Sequence, residues 1–147
     1  MNTLDFESRI HSTKIRLWSA WTNSKYVTSW FAPEAIIEPK VGGAYELFFD
    51  PSDSRLITTT GGRFLELLPF DRFSFTWKIQ DNDTDLKDEE PPTIVNVSLT
   101  EAESDVIVKV THSGWGVGKE WDSAKEWHQL AWKQVLSSLK DFLESDN

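Results

Sequence analysis

Cysteine is absent from this 147-residue chain, and there are only three histidines and one methionine. The lack of thiols excludes a disulfide framework and thiol chemistry, and it suits a reducing compartment. Long apolar runs are missing as well. No stretch approaches the ~18 residues of a spanning helix, so membrane insertion is not expected. The opening "MNTLDFESR" shows no basic start followed by an apolar block; no secretory signal is read, and a cytoplasmic location is the expectation. Basic residues are few, 15 Lys and Arg against 24 Asp and Glu, for a formal net charge of −9. Such a surface repels phosphate backbones, which argues against nucleic acid and anionic membranes as partners.

What the chain has in quantity is aromatic surface. Aromatics make up 13% of the residues and eight of them are tryptophan. Half of those tryptophans fall in "THSGWGVGKEWDSAKEWHQLAW", together with His112 and His128. The length fits one domain spanning 1–147, able to bury ~70% of its unfolded surface.

Periodicity divides the chain into elements. "TLDFESRI" alternates with Leu4, Phe6 and Ser8 on one side, which reads as a half-buried strand. "STKIRLWSAW" reads as a helix capped by Ser12, with Ile15, Trp18 and Trp21 on one stripe. A second short helix opens near Thr22 or Asn23 and closes before Pro33. From Ala35 the period falls to two, through "AIIEP", "AYELFF", "RLITTTGGRFLELLP" and "DRFSFTWKIQ". The acidic "DNDTDLKDEEPP" must be a loop. Two strands follow it, one with Val95, Val97 and Leu99 on a face and one with Val106, Val108, Val110 and His112. The final helix, Glu120 to Leu143, keeps Trp121, Ala124, His128, Trp132, Val135, Leu139 and Phe142 within one stripe. Trp127 and Leu130 lie off it, on flanks that loops or a second subunit can cover, so a homodimer stays open. The sum is an α+β fold: two short helices after the first strand, then an antiparallel sheet curved over a long C-terminal helix.

Six blocks, "STKIRLWSAWTNSKYVTSWFAP", "VGGAYEL", "GRFLELLPFDRFSFTW", "PPTIVNVSLTE", "VKVTHSGWG" and "AWKQVLSSLKDFL", occur in an order that resembles one family. It is the family named for similarity to the activator of the ninety-kilodalton heat-shock-protein ATPase, within the START-like, or SRPBCC (Bet v 1-like), superfamily. The resemblance implies a helix-grip fold, a sheet of about six or seven strands wrapped around the last helix with a deep hydrophobic pocket between them. Superfamily relatives bind lipids, sterols, hormones or polyketides, and a minority catalyse cyclisation or dehydration. Two departures stand out. Many relatives carry Gly-Trp where this chain has Ala131-Trp132, and the acidic 81–90 loop is long for the family.

These observations point to a small hydrophobic or amphipathic ligand held between sheet and helix. The expected lining is Tyr45, Phe75, Trp77, Val97, Val110, Trp121, His128 and Trp132, with His112 or His128 orienting a polar group. Ordinary core packing is the competing reading for each tryptophan, and a hydrogen-bonded structural role is the competing reading for each histidine. His11, at the strand–helix junction, reads as structural. A cyclase or hydrolase using His112 or His128 with Glu126 or Glu120 is the alternative, and a chaperone-associated module is a third, weaker one. No catalytic residue, cofactor or metal site is assigned. The histidines are far apart, and "DNDTDL" (Asp81, Asp83, Asp85) lacks the glycine and distal glutamate of a calcium loop. The glycines of "SGWGVG" lack a P-loop lysine and read instead as a pocket lip. Arg63, Glu66, Lys78 and Glu120 are expected on a solvated face, with their side undecided by sequence.

Overall fold

A computed structural model describes residues 3–49, 59, 61–78 and 92–145. Strand β1 (Leu4–Ile10) leads into helices α1 (Lys14–Thr22) and α2 (Ser24–Val27). Strands β2 (Glu34–Ile37), β3 (Tyr45–Phe48), β4 (Phe64–Leu68), β5 (Arg72–Trp77), β6 (Thr93–Ala102) and β7 (Asp105–Ser113) follow, and α3 (Lys119–Glu144) closes the chain. The five-stranded sheet has the order β1-β7-β6-β5-β4, and β2-β3 form a second pair; every pairing is antiparallel. The small sheet is tied to the edge of β4, with Phe64 N–H donating to Gly43 O and Tyr45 N–H to Gly62 O, each at 2.9 Å. Among the described residues the main curved sheet thus has five strands where six or seven were expected, and the remaining two form the attached pair.

The alternation read from the sequence sets the faces. Val95, Val97 and Leu99 of β6 and Val106, Val108, Val110 and His112 of β7 are buried, because the pleat sends every second side chain inward. Helix α3 is 26 residues long, ~39 Å at 1.5 Å per residue, and buries Trp121, His128, Trp132, Leu136, Leu139 and Leu143. Intervals of three, four and seven keep these on one side of the helix. Its C-terminal end is fixed to β1 by polar contacts: Lys140 Nζ donates to Arg9 O at 2.6 Å, and His11 N–H donates to Glu144 at 2.9 Å.

Several local expectations are corrected. Thr13, not Ser12, caps α1, its hydroxyl accepting from Arg16 N–H at 3.1 Å. Of the stripe expected on α1, Trp18 and Trp21 are buried but Ile15 is 64% exposed, and Leu17 and Ala20 are buried beside the tryptophans. The helix starts one residue later than read, and its buried arc is centred near Leu17 and Trp21, which leaves Ile15 outside it. Helix α2 is a single turn rather than a run toward Pro33; Asn23 ends α1 and caps α2 through Oδ1. Trp30 and Phe31 lie beyond that turn and are buried without helical backbone. The readings at 81–90, including the acidic loop and its aspartates, fall outside the described residues, as does most of "RLITTT". Of that stretch, Thr59 pairs with Leu47 through its N–H and its hydroxyl, both at 2.9 Å.

Candidate functional site: a tryptophan–histidine core and an aromatic cleft

Two histidines from different elements meet in the centre. Alternation on β7 turns His112 inward, and the stripe of α3 does the same for His128; their rings lie 5.2 Å apart and perpendicular. Trp132 donates its indole N–H to His112 Nδ1 at 2.9 Å. An indole nitrogen cannot accept, so Nδ1 is unprotonated and Nε2 carries the hydrogen. That N–H meets Thr93 Oγ1 at 2.6 Å, and the Thr93 hydroxyl donates to Trp77 O at 2.8 Å. Trp77 in turn donates its indole N–H to His128 Nε2 at 2.9 Å, leaving His128 Nδ1–H to donate to Ala124 O at 2.7 Å. Both imidazoles are neutral, each in one tautomer, with all four ring nitrogens engaged.

Burial lowers the His112 pKa well below its ordinary value, and nearby His128 adds to the effect. Burial also brings His128 down to about 4, against a smaller upward pull from the Ala124 carbonyl. The geometry supplies a further reason. A proton added to either ring would point at an indole N–H, setting two donors head to head.

An apolar cleft of about 210 Å³ opens beside this core. Its aromatic wall comes from four segments: Phe31 after α2, Phe49 after β3, Trp77 of β5, and Trp127 and Trp132 of α3. His128, Ala131, Gln134 and Val135 complete the α3 side. Trp127 is 50% exposed and stands at the mouth, its ring 4.8 Å from that of His128.

Of the residues expected to line a pocket, Trp77, His128 and Trp132 border this cleft, while Tyr45, Phe75, Val97, Val110, His112 and Trp121 do not. Tyr45 is fully buried and stacked on Phe75 at 4.0 Å, and its hydroxyl donates to Trp21 O at 3.0 Å. Desolvation pushes its pKa well above the usual value. Val97 and Val110 face each other across β6 and β7 in the packed core. Trp121 joins Leu4 and Trp115 in a separate cluster, and a Cβ on Gly116 would collide with the Trp121 ring. The "SGWGVG" segment therefore packs on Trp121 and does not edge this cleft.

Phe31, Phe49 and Trp127 were not among the expected lining. The tryptophan flanking the α3 stripe next to His128 was the one signal for Trp127. Arg63, Glu66 and Glu120 are exposed; Arg63 and Glu66 pair at the surface with Glu46 and Arg72, and Lys78 is half-buried. Among the described residues, no three of His, Cys, Asp and Glu converge as a metal site would need, and no helix is long and apolar enough to cross a membrane.

Among curated proteins none matches this chain. Solved structures do. Protein MLL2253 from Mesorhizobium loti is 20% identical with a TM-score of 0.79, over 99% of this chain and 98% of that one. The Aha1 dimer from Colwellia psychrerythraea is 19% identical with a TM-score of 0.73, over 98% and 97%. DynU16, from the dynemicin biosynthetic locus, is 18% identical with a TM-score of 0.77; this chain is covered completely and spans 49% of that one. At such identities the likeness establishes the fold. Residues 12–144 match the family described as "Activator of Hsp90 ATPase homolog 1-like protein", and the chain belongs to that family.

Proposed function

We propose that the protein binds a small apolar or amphipathic molecule in the cleft between sheet and α3, without acid–base chemistry by its histidines. The observation that carries this reading is the cleft itself: about 210 Å³, walled by five aromatic rings from four segments. An apolar cavity of ~150 Å³ accommodates benzene, and pockets for drug-sized ligands run to ~300–1,000 Å³. The occupant is therefore of one- or two-ring size. The half-exposed Trp127 leaves a way in, and Ala131 contributes a methyl to the wall.

The engagement of both histidines weighs against the cyclase or hydrolase alternative. A general base needs a free lone pair within reach of a proton, and both imidazole lone pairs are held by indole donors. A place among small-molecule pathways is supported by the structural relative from a biosynthetic locus. Self-association is a second reading. Trp127 and Leu130 are 50% and 62% exposed on α3, and the Colwellia relative is a dimer. Sedimentation showing only monomer over a wide concentration range would remove it.

The test of binding uses the indole N–H resonances of isotope-labelled protein, titrated with naphthol. Trp127, Trp77 and Trp132 should shift together, while Trp18, on the far side of the core against Phe70 and Phe73, stays put. Ala131→Trp, which fills the cleft, should abolish the shifts. No response in the cleft tryptophans would end the reading.

A further inference from the structure

The cleft restricts the chemistry of its occupant as well as its size. None of its nine lining residues carries a charge. On the floor, the indole N–H groups of Trp77 and Trp132 and both nitrogens of His128 already have partners inside the protein. An anion placed there would lose its water and gain no partner, and a cation would exchange its water for ring faces alone. His128 offers an anion no relief, because the nitrogen it would protonate is occupied by the Trp77 donor.

One lining group differs. Gln134 is exposed, and its side chain makes no hydrogen bond to any described residue. It lies seven residues after Trp127, ~10 Å further along the helix axis. Its amide both donates and accepts, so it matches a hydroxyl, carbonyl or amide.

Resting on the binding reading above, we infer that the site selects uncharged ligands of one- or two-ring size whose single hydrogen-bonding group is met by Gln134 at the mouth. The aromatic floor takes the apolar body. The rim reads the polar end.

Three probes of similar shape test this: naphthol, naphthoate and naphthylmethylammonium, each followed by the same indole resonances. Naphthol should bind, and both ions should bind at least about tenfold more weakly, since each would leave a charge facing engaged or apolar groups. Rejection of the anion alone, with the ammonium binding like naphthol, would point to the protein's negative field or to the ring faces, and would overturn the proposal. Charge substitution at the rim gives an independent readout. Gln134 is exposed, so Gln134→Glu should fold normally, improve ammonium binding about two- to fivefold and weaken naphthoate, the size expected of an exposed ion pair. Gln134→Lys should do the reverse. If neither variant moves either ion, Gln134 does not meet the polar end and the assignment fails. Equal binding of all three probes would overturn the selectivity and leave the binding reading intact; no binding by any probe would remove both.

Discussion

Lowering the pH from 7 toward 5 should unload stability through the two buried imidazoles before the carboxylates begin to titrate. His128 is held to about 4 in the folded chain and returns to about 6.5 on unfolding. Between those values the unfolded chain binds the extra proton, so stability falls as pH falls. The contribution is fully present above about pH 6.5, is lost progressively below it, and is gone once pH passes about 4. For His128 alone this amounts to about 2 kcal/mol between pH 7 and 5 and about 3 kcal/mol over the whole window, with a slope near 1.4 kcal/mol per pH unit. His112 is depressed in the same direction and steepens the loss. The carboxylates with lowered pKa, Asp71 bonded to Lys14, Asp105 to Arg9 and Glu144 to the His11 N–H, act in a lower window, as pH drops through and below the usual carboxylate range. Urea unfolding followed by tryptophan fluorescence at several pH values measures the slope. His128→Gln should be less stable at neutral pH yet shallower by about one bound proton between pH 6.5 and 5. A wild-type protein whose stability is flat across that range, or whose two buried imidazoles both titrate near 6.5 by NMR, would refute the hydrogen-bond assignment around Trp77 and Trp132.

Three further outcomes follow from the packing. Thr93→Val keeps the shape but removes the hydroxyl between His112 and the Trp77 carbonyl, and should cost about 1–3 kcal/mol in chemical denaturation for the groups left unpaired. Gly116→Ala should disturb the Trp121 indole and lower the melting temperature, whereas Gly61→Ala, strained by its positive φ but spatially free, should leave the Trp121 resonance in place. Asp105→Asn loosens a surface contact with Arg9 and His11 and should lower stability only slightly in chemical denaturation, with the difference fading in salt.

Face assignments were legible in the sequence because strand and helix periods are local properties. The inward set on β6 and β7, ending at His112, and most of the α3 stripe through His128 and Trp132 follow from alternation and from 100° steps alone. The start of α1 was open by one residue because Ser12 and Thr13 are both good caps, and which arc of so short a helix faces inward, the one through Leu17 rather than Ile15, is set by what packs against it. Extending α2 toward Pro33 failed for another reason. Trp30 and Phe31 are held by burial against Trp21 and Trp132, which helical spacing does not report.

Composition, period and turn residues determined by themselves that this chain would lay an antiparallel sheet over one long amphipathic helix, and that two histidines would face inward. Only the tertiary structure decided that each of those imidazoles accepts from an indole, and that Phe31, Phe49 and Trp127 converge on one cleft. The reason is physical. Which way a side chain points depends on its own backbone, whereas what it meets there depends on segments far away in the chain, brought together by burial of the whole core.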